Sequence, residues 1–385
     1  MTLKNNLKYI FGLLAGMFLG GLAIFLFSNL VQVNVQSVKG ENKNIISEIK
    51  KEKNNTEIQE NIKIENSSAG EKLEEKSSVP IKMLFGGDVM LDRQTRLDIS
   101  KKGAGFLTEK IKDVFQDQDI VMINLEGAVT SNSSVSNVPV SNPNHFRFTF
   151  DKEQAKQFLS LNNVNIVSAG NNHILNFGQS GEQETRNFLE ENKISYIGMP
   201  SMQENNSVIK KIKGKKIAFV AYNYSAGLSL EKVIEEIENA KKKSDFTVVY
   251  AHWGSEYHLQ ESGHQKDVAH KFIDAGADLI IGSHPHVVQP IEIYKDKTIF
   301  YSLGNLVFDQ YFSKDVRERL IVNLLFENDK ISFVLVPLYT NNYGQLELMD
   351  LEQRKVFLNR IAGDSSVSEE MKEKIRKVSF SLDLK

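Results

Sequence analysis

Leu279-Ile280-Ile281-Gly282-Ser283-His284-Pro285-His286 joins an unbroken aliphatic run to two histidines separated by a single proline. Consecutive bulky aliphatic residues ahead of a Gly-Ser pair read as a short strand buried on both faces, as parallel sheets require. On an extended segment the two imidazoles point to opposite sides, whereas on a strand-end turn they converge on one site or on two neighbouring metals. Pro285 stiffens the pair and lowers the entropy lost when the ligands are ordered. A His-Pro-His directly behind a buried strand has little purpose without a ligand, and it is the strongest single signal in the chain.

Working outward, the same arrangement of a buried strand followed by ligand-type side chains recurs four times. The strands are read at Ile81–Phe85, Ile120–Ile123, Val164–Val167 and Phe246–Tyr250, with a further apolar run at Ile217–Ala221. Behind them stand Gly86-Gly87-Asp88-Val89-Met90, Asn124-Leu125-Glu126-Gly127, Ala169-Gly170-Asn171-Asn172-His173 and Ala251-His252-Trp253-Gly254-Ser255-Glu256, the last holding the only tryptophan. Each has a plainer reading when taken alone. Asp88 fits a helix cap, Glu126 a solvated loop tip, the asparagines left-handed turns, and His252 a structural histidine. Amphipathic helical patterns lie between strands, at Phe106-Leu107-Ile111-Val114-Phe115 and at Val268-Phe272-Ile273, the latter stopped by Gly276. Strand and helix in alternation predict an α/β fold, whose ligands gather at the carboxyl ends of the strands. Further strands are expected at Thr298–Ser302, Leu320–Phe326 and Ile331–Val336, and helices at Leu351–Ile361 and Ser368–Lys377.

The 385 residues contain no cysteine, which excludes a disulfide scaffold, a thiolate zinc site and a cysteine nucleophile. Any metal must use Asp, Glu, Asn and His, a set that suits one or two Mn, Fe or Zn ions, because imidazole prefers borderline transition metals. The net charge of −2 offers no broad basic field, so nucleic acid is not an expected partner. The same charge gives no overall attraction to an acidic polymer, and a local patch such as Arg317 and Arg319, or the metals, would have to supply it.

The chain is expected to divide into a cytoplasmic end (1–8), a transmembrane anchor (9–31), a charged flexible linker (32–79), a main domain (80–340) and a C-terminal helical extension (341–385). Residues 9–31 carry no charge and are long enough to span a bilayer. Lys4 and Lys8 ahead of them place the short N-terminus in the cytoplasm and the body outside. A cleaved signal peptide is the alternative. Gly12, Gly16 and Gly20 share one helix face and would permit helix pairing, and so a homo-oligomer.

In order, Gly87-Asp88-Val89-Met90, Asn124-Leu125-Glu126, Asn171-Asn172-His173, His252-Trp253-Gly254, Gly282-Ser283-His284-Pro285-His286 and Tyr301-Ser302-Leu303-Gly304-Asn305 resemble the motifs of the capsule synthesis protein CapA family, also called PgsA. That family is similar to the calcineurin-like metallophosphoesterases. The resemblance covers roughly residues 80–340. It implies a four-layer α/β/β/α sandwich with metals between the edges of two sheets. It makes Asp88 and His286 ligands of a first metal, Glu126 the bridging carboxylate, and Asn172, His252 and His284 ligands of a second. His173 becomes the acid that protonates a leaving oxygen, and Asn124, Asn171, Glu256 and Asn305 are expected to meet substrate. Three departures are visible, one of them the structural replacement of the family's usual proline after Tyr257 by Glu261. Met90 stands where metallophosphoesterases carry a ligand histidine, and Asn176 stands where an aspartate usually orients the equivalent of His173. The function implied is a membrane-anchored, extracytoplasmic part in poly-γ-glutamate synthesis or export, with the polymer and membrane synthase subunits as partners. An exported phosphoesterase unrelated to polyglutamate and a silent polymer-binding scaffold are the alternatives.

Overall fold

The computed structural model describes residues 79–201, 206–224, 229–341 and 343–383. The expected cytoplasmic end and anchor, and all of the expected linker but Val79, lie outside the described residues. Among the described residues no helix is long and apolar enough to cross a membrane.

The strands begin with β1 (Ile81–Val89), β2 (Ile120–Leu125), β3 (Ala128–Val129), β4 (Thr149–Phe150), β5 (Ile166–Ser168), β6 (Ser195–Ile197), β7 (Ser207–Ile212), β8 (Lys215–Asn223) and β9 (Phe246–His252). They continue with β10 (Leu279–Ser283), β11 (Ile291–Tyr294), β12 (Lys297–Phe300), β13 (Asn305–Val307), β14 (Glu318–Glu327), β15 (Lys330–Thr340), β16 (Leu346–Leu348) and β17 (Ser379–Asp383). The helices are α1 (Arg93–Lys102), α2 (Lys152–Leu161), α3 (Gly178–Glu191), α4 (Leu230–Lys241), α5 (Gly263–Asp274), α6 (Lys314–Arg317), α7 (Leu351–Asp364) and α8 (Glu369–Arg376). Their starts follow from local chemistry. Asp151 and Ser229 cap α2 and α4 with their side chains, and Ser262 with Gln265 and Asp350 with Gln353 form capping boxes on α5 and α7.

The fold is mixed α/β with two main sheets. The nine-stranded sheet runs β16-β15-β14-β1-β2-β5-β6, with β13 beside β1 and β17 beside β15. The six-stranded sheet runs β11-β12-β10-β9-β8-β7, and a small third sheet pairs β3 with β4. Met83, Phe85, Met122, Val322 and Leu335 of the first sheet share one buried cluster with Ile217, Phe219, Phe246, Val248 and Ile281 of the second. The two sheets therefore face each other across a common core. The alternate residues of β8, Ala218, Val220 and Tyr222, point the other way, against Val233 and Ile237 of α4 and Val268 and Phe272 of α5. Leu84, Val121 and Ile123 are fully buried as well, so the first sheet is covered on both faces. That double burial is why these strands read as continuous apolar runs.

A strap joins the sheets at their carboxyl ends. Leu303 N donates to Gly282 O at 3.1 Å, and Asp88 N donates to Gly304 O at 3.1 Å. The approach is so close that a Cβ on Gly87 would lie 1.8 Å from Gly304 O, and one on Gly282 would lie 1.9 Å from Tyr301 O. Only glycine fits either position. Across the same end Tyr250 Oη donates to Gly86 O at 2.5 Å.

Three expectations are corrected. Strands β1, β2 and β9 run on through Asp88, Asn124 and His252, so these lie in strands rather than after them, whereas Glu126, His284 and His286 follow their strands as expected. The helix expected over 106–115 is two 3-10 turns, Ala104–Leu107 and Glu109–Phe115. The stretch 341–385 does contain its two helices, yet it also supplies β16 and β17 to the first sheet and Phe357, Ile361, Ile375 and Phe380 to the common core.

Candidate metal centre

Each ligand-type side chain is delivered by the end of a strand, and the two sheets bring them together. Asp88 and Asn124 sit opposite one another on β1 and β2. His252 and Ser283 do the same on β9 and β10. After β10 the chain turns through His284 at φ 94 and His286 at φ 59. Two left-handed residues this close carry backbone strain of the kind that marks functional sites. The strain brings the rings of His252 and His284 to 4.5 Å and those of His284 and His286 to 5.9 Å between centroids.

The carboxylates are buried completely. Asn124 Nδ2 donates to Asp88 Oδ1 at 2.8 Å and to Glu126 Oε2 at 3.1 Å. Burial pushes the Asp88 carboxyl up, but His286, 3.2 Å away through Nδ1, together with His252 and the Asn124 amide, outweighs it and holds Asp88 down at about 2. Glu126 is pushed well above the usual range by burial and by the neighbouring Asp88. His252 is held well below its ordinary value, and His284 below it, by burial and by adjacent imidazoles. One buried carboxyl raised beside another that is lowered marks the kind of perturbed cluster that gathers at functional sites.

The donor set fits a divalent ion. Glu126 Oε1 and His284 Nδ1 are buried without a hydrogen-bond partner among the described residues. Such orphaned atoms are costly unless something else meets them. Ligand atoms of Glu126, His284 and His286 lie within 4.8 Å of one another, as do those of Asp88, Glu126 and His252. Glu126 belongs to both groups, which is what a bridging carboxylate must do. Asn172 Oδ1 lies 2.9 Å from His252 Nε2. His286 Nδ1 lies 3.0 Å from Asn305 Oδ1, which turns Nε2 toward Glu126 at 3.6 Å. A histidine whose far nitrogen is tied to an acceptor is oriented for metal binding.

His173 occupies the rim of this cluster. Its Nδ1 is 3.0 Å from both Phe146 O and Asn176 Oδ1, and its Nε2 is 3.1 Å from Asn172 Nδ2. The ring packs on Phe148 at 4.3 Å. Asn176 thus orients His173 as an aspartate would, but without charge, and burial lowers the imidazole to about 4. At neutral pH Nε2 is an acceptor and not an acid.

Three residues expected to meet substrate are used up within the protein. Asn124 binds both carboxylates, Asn171 donates to Asn124 Oδ1 at 3.1 Å and Leu125 O at 2.8 Å, and Asn305 donates to Gln310 Oε1 at 3.1 Å. All three are buried. Glu256 does lie at the mouth, its side chain 42% exposed and 4.0 Å from His286 Nε2. Arg319 is not a surface cation: it is buried and donates to Leu306 O and Phe308 O.

Sequence reasoning missed the Arg93–Asp309 pair. Arg93, at φ 50, donates through Nε to both Asp309 oxygens at 3.1 Å and stacks on Phe148 and Phe308, the rings that back His173 and His286. The available signal was Leu306-Val307-Phe308-Asp309, which repeats the pattern of an apolar run followed by a carboxylate.

Fold and site together define a mixed α/β protein with a buried cluster of carboxylate, imidazole and amide groups where two sheets meet. The chain belongs to the family described as bacterial capsule synthesis protein PGA_cap, which matches residues 82–310. It is 27% identical over 317 residues to the PGA biosynthesis protein CapA of Bacillus subtilis, covering 78% of this chain and 82% of that one. The capsule biosynthesis protein CapA of Bacillus anthracis is 28% identical over 276 residues, covering 66% of each. A probable polyglutamine synthesis accessory protein of Mycobacterium tuberculosis is 26% identical, covering 50% of this chain and 56% of that one. Among solved structures, Vps29 of Chaetomium thermophilum aligns with 70% of this chain and 91% of its own at 10% identity, with a TM-score of 0.32.

Proposed function

We propose that this protein is a membrane-anchored, extracytoplasmic component of poly-γ-glutamate synthesis or export, built on a metallophosphoesterase-like four-layer sandwich with a divalent metal centre. The names of its relatives support the polymer, and the uncharged run 9–31 behind Lys4 and Lys8 supports the placement. One structural observation supports the metal centre: Glu126, whose buried Oε1 has no hydrogen-bond partner among the described residues, belongs to both groups of converging ligand atoms.

Asp88, Glu126, His252, His284 and His286 would hold the ions, with Asn172 beside His252. A bound Mn, Fe or Zn ion supplies Lewis acidity toward a phosphoryl or carbonyl oxygen. The chain's own residues do the rest. Asn124 fixes the angle between the two carboxylates, and Asn305 fixes the tautomer of His286. His173, neutral and pinned through Nδ1, presents Nε2 as a proton acceptor at the rim. Glu256 at the mouth disfavours a second anion except where the metal charge outweighs it.

The test has two parts. Plasma mass spectrometry on the purified protein should find Mn, Fe or Zn, and both Asp88→Ala and His284→Ala should lose it while keeping the wild-type circular dichroism. Equal metal content in all three proteins would sink the centre. In the producing cell, deletion should abolish surface poly-γ-glutamate, measured as glutamate released by acid hydrolysis. Restoration of the polymer by His284→Ala would make the chain a scaffold, and unchanged polymer on deletion would remove it from polyglutamate altogether.

A further inference from the structure

The pole opposite the metal centre carries a second chemical feature. Strands β7 and β8 form a hairpin whose turn is Lys213-Gly214, both at positive φ. Strand β8 is parallel to β9, and Asn223 at its far end pairs with His252. Eight residues of strand therefore separate the hairpin turn from the metal centre, roughly 26 Å. Along this hairpin and the end of α4, eight lysines (210, 211, 213, 215, 216, 241, 242 and 243) meet four aspartates. Asp119, Asp329 and Asp278 pair with Lys213, Lys215 and Lys241, and Asp245 accepts from the backbone N of Lys216.

Of the rest, Lys211, Lys216, Lys242 and Lys243 are exposed and, like the half-buried Lys210, without an acidic partner among the described residues. Lys211 and Lys216 stand directly opposite each other across the strand pair, an arrangement that destabilises a hairpin. Lysines on an edge strand such as β7 ward off pairing with other chains. That need does not extend to Lys242 and Lys243, which come from another element and are brought alongside by Asp245, whose N donates to Lys216 O and whose Oδ2 accepts from Lys216 N.

The chain enters the folded body at this same pole. Lys213 Nζ donates to Pro80 O at 2.8 Å, just where β1 begins. Residues 1–78, with the uncharged run 9–31, therefore join the body among these lysines. We propose that this lysine face docks on an anionic lipid surface, so that the domain lies against the membrane with its metal centre facing away. The inference rests on the membrane-anchored reading above. A lipid surface is favoured over the acidic polymer because the patch lies at the end remote from the site, where the chain arrives. Each lysine near an anionic leaflet is worth about five-fold in occupancy, and the contact weakens with salt.

The chain has no cysteine, so a single introduced thiol reports its own position. Full-length protein carrying Ile209→Cys, at the patch, or Tyr343→Cys, beyond β15 at the opposite pole, is labelled with bimane and reconstituted in vesicles bearing a headgroup quencher. In phosphatidylcholine mixed with phosphatidylglycerol the label at 209 should be quenched at least about three-fold more than in phosphatidylcholine alone, and the label at 343 should not. High salt, or Lys211→Gln, Lys216→Gln, Lys242→Gln and Lys243→Gln together, should remove the difference. Equal quenching at 209 in both lipids, or a difference that survives the four substitutions, overturns the proposal. So does a label at 209 that ignores phosphatidylglycerol but responds to soluble poly-γ-glutamate. Protein that fails to float with vesicles overturns the anchored reading itself, which separates the two failures.

Discussion

Asn305 shows what an amide does in this centre. It accepts from His286 Nδ1 and donates to Gln310, so it fixes which nitrogen of His286 faces Glu126, where the proposed metal would sit. Asn305→Ala should lower metal affinity roughly 10- to 100-fold by calorimetric titration, and Asn305→Asp should restore most of it. If Asn305→Ala binds metal as tightly as wild type, the orienting role is wrong. His173 gives a pH signature. Its folded value is lowered to about 4, against about 6.5 in an unfolded chain. Between these values the unfolded state holds the extra proton, so stability falls as the pH falls. Metal-free protein should lose roughly 3 kcal/mol from this residue between pH 7 and 4, and His173→Gln should flatten that part of the slope in urea unfolding. The ligand types were legible in sequence because each follows an apolar run. The fate of Asn124, Asn171 and Asn305 was not, since whether an amide faces substrate or a neighbour depends on partners brought from other strands.

At the level of elements, the strap over 301–305 decides how closely the two sheets approach. Gly87→Ala and Gly282→Ala would each drive a methyl group into a backbone carbonyl, and each should destabilise the protein by roughly 3–5 kcal/mol in denaturant unfolding. Gly263→Ala, with open space around it, should change stability by less than about 1 kcal/mol. Comparable losses in all three would mean that the strap is not the constraint. The strands were readable because double burial leaves them apolar on both faces. The 3-10 turns over 104–115 were not, because Ile111, Val114 and Phe115 repeat at a spacing that an α-helix shares. The Tyr301–Asn305 motif was visible as a motif, but apart from the Asn305 amide the joining of the sheets is done by its backbone atoms, which carry no side-chain pattern.

Across the whole molecule, the first sheet is assembled from both ends of the folded chain. Its parallel half is β1, β2, β5 and β6, its antiparallel half is β14 to β17, and the entire second sheet intervenes. Removing residues 341–385 would strip Phe357, Ile361, Ile375 and Phe380 from the common core. A chain ending at residue 340 should fail to give a cooperative thermal transition, and a sharp transition near that of the full protein would contradict this. The charged, apolar and mixed zones of the sequence were legible from composition, but this closure of one sheet by distant segments was not, because register between strands far apart leaves no local trace. It has a consequence for biogenesis. As the chain emerges, from a ribosome or a translocation channel, β1 has no antiparallel neighbour until Glu327 has been made, and its edge waits bare through some two hundred and forty residues of synthesis. Folding is thus a late, post-emergence event of high contact order, and a chaperone that shields one strand edge would govern its yield.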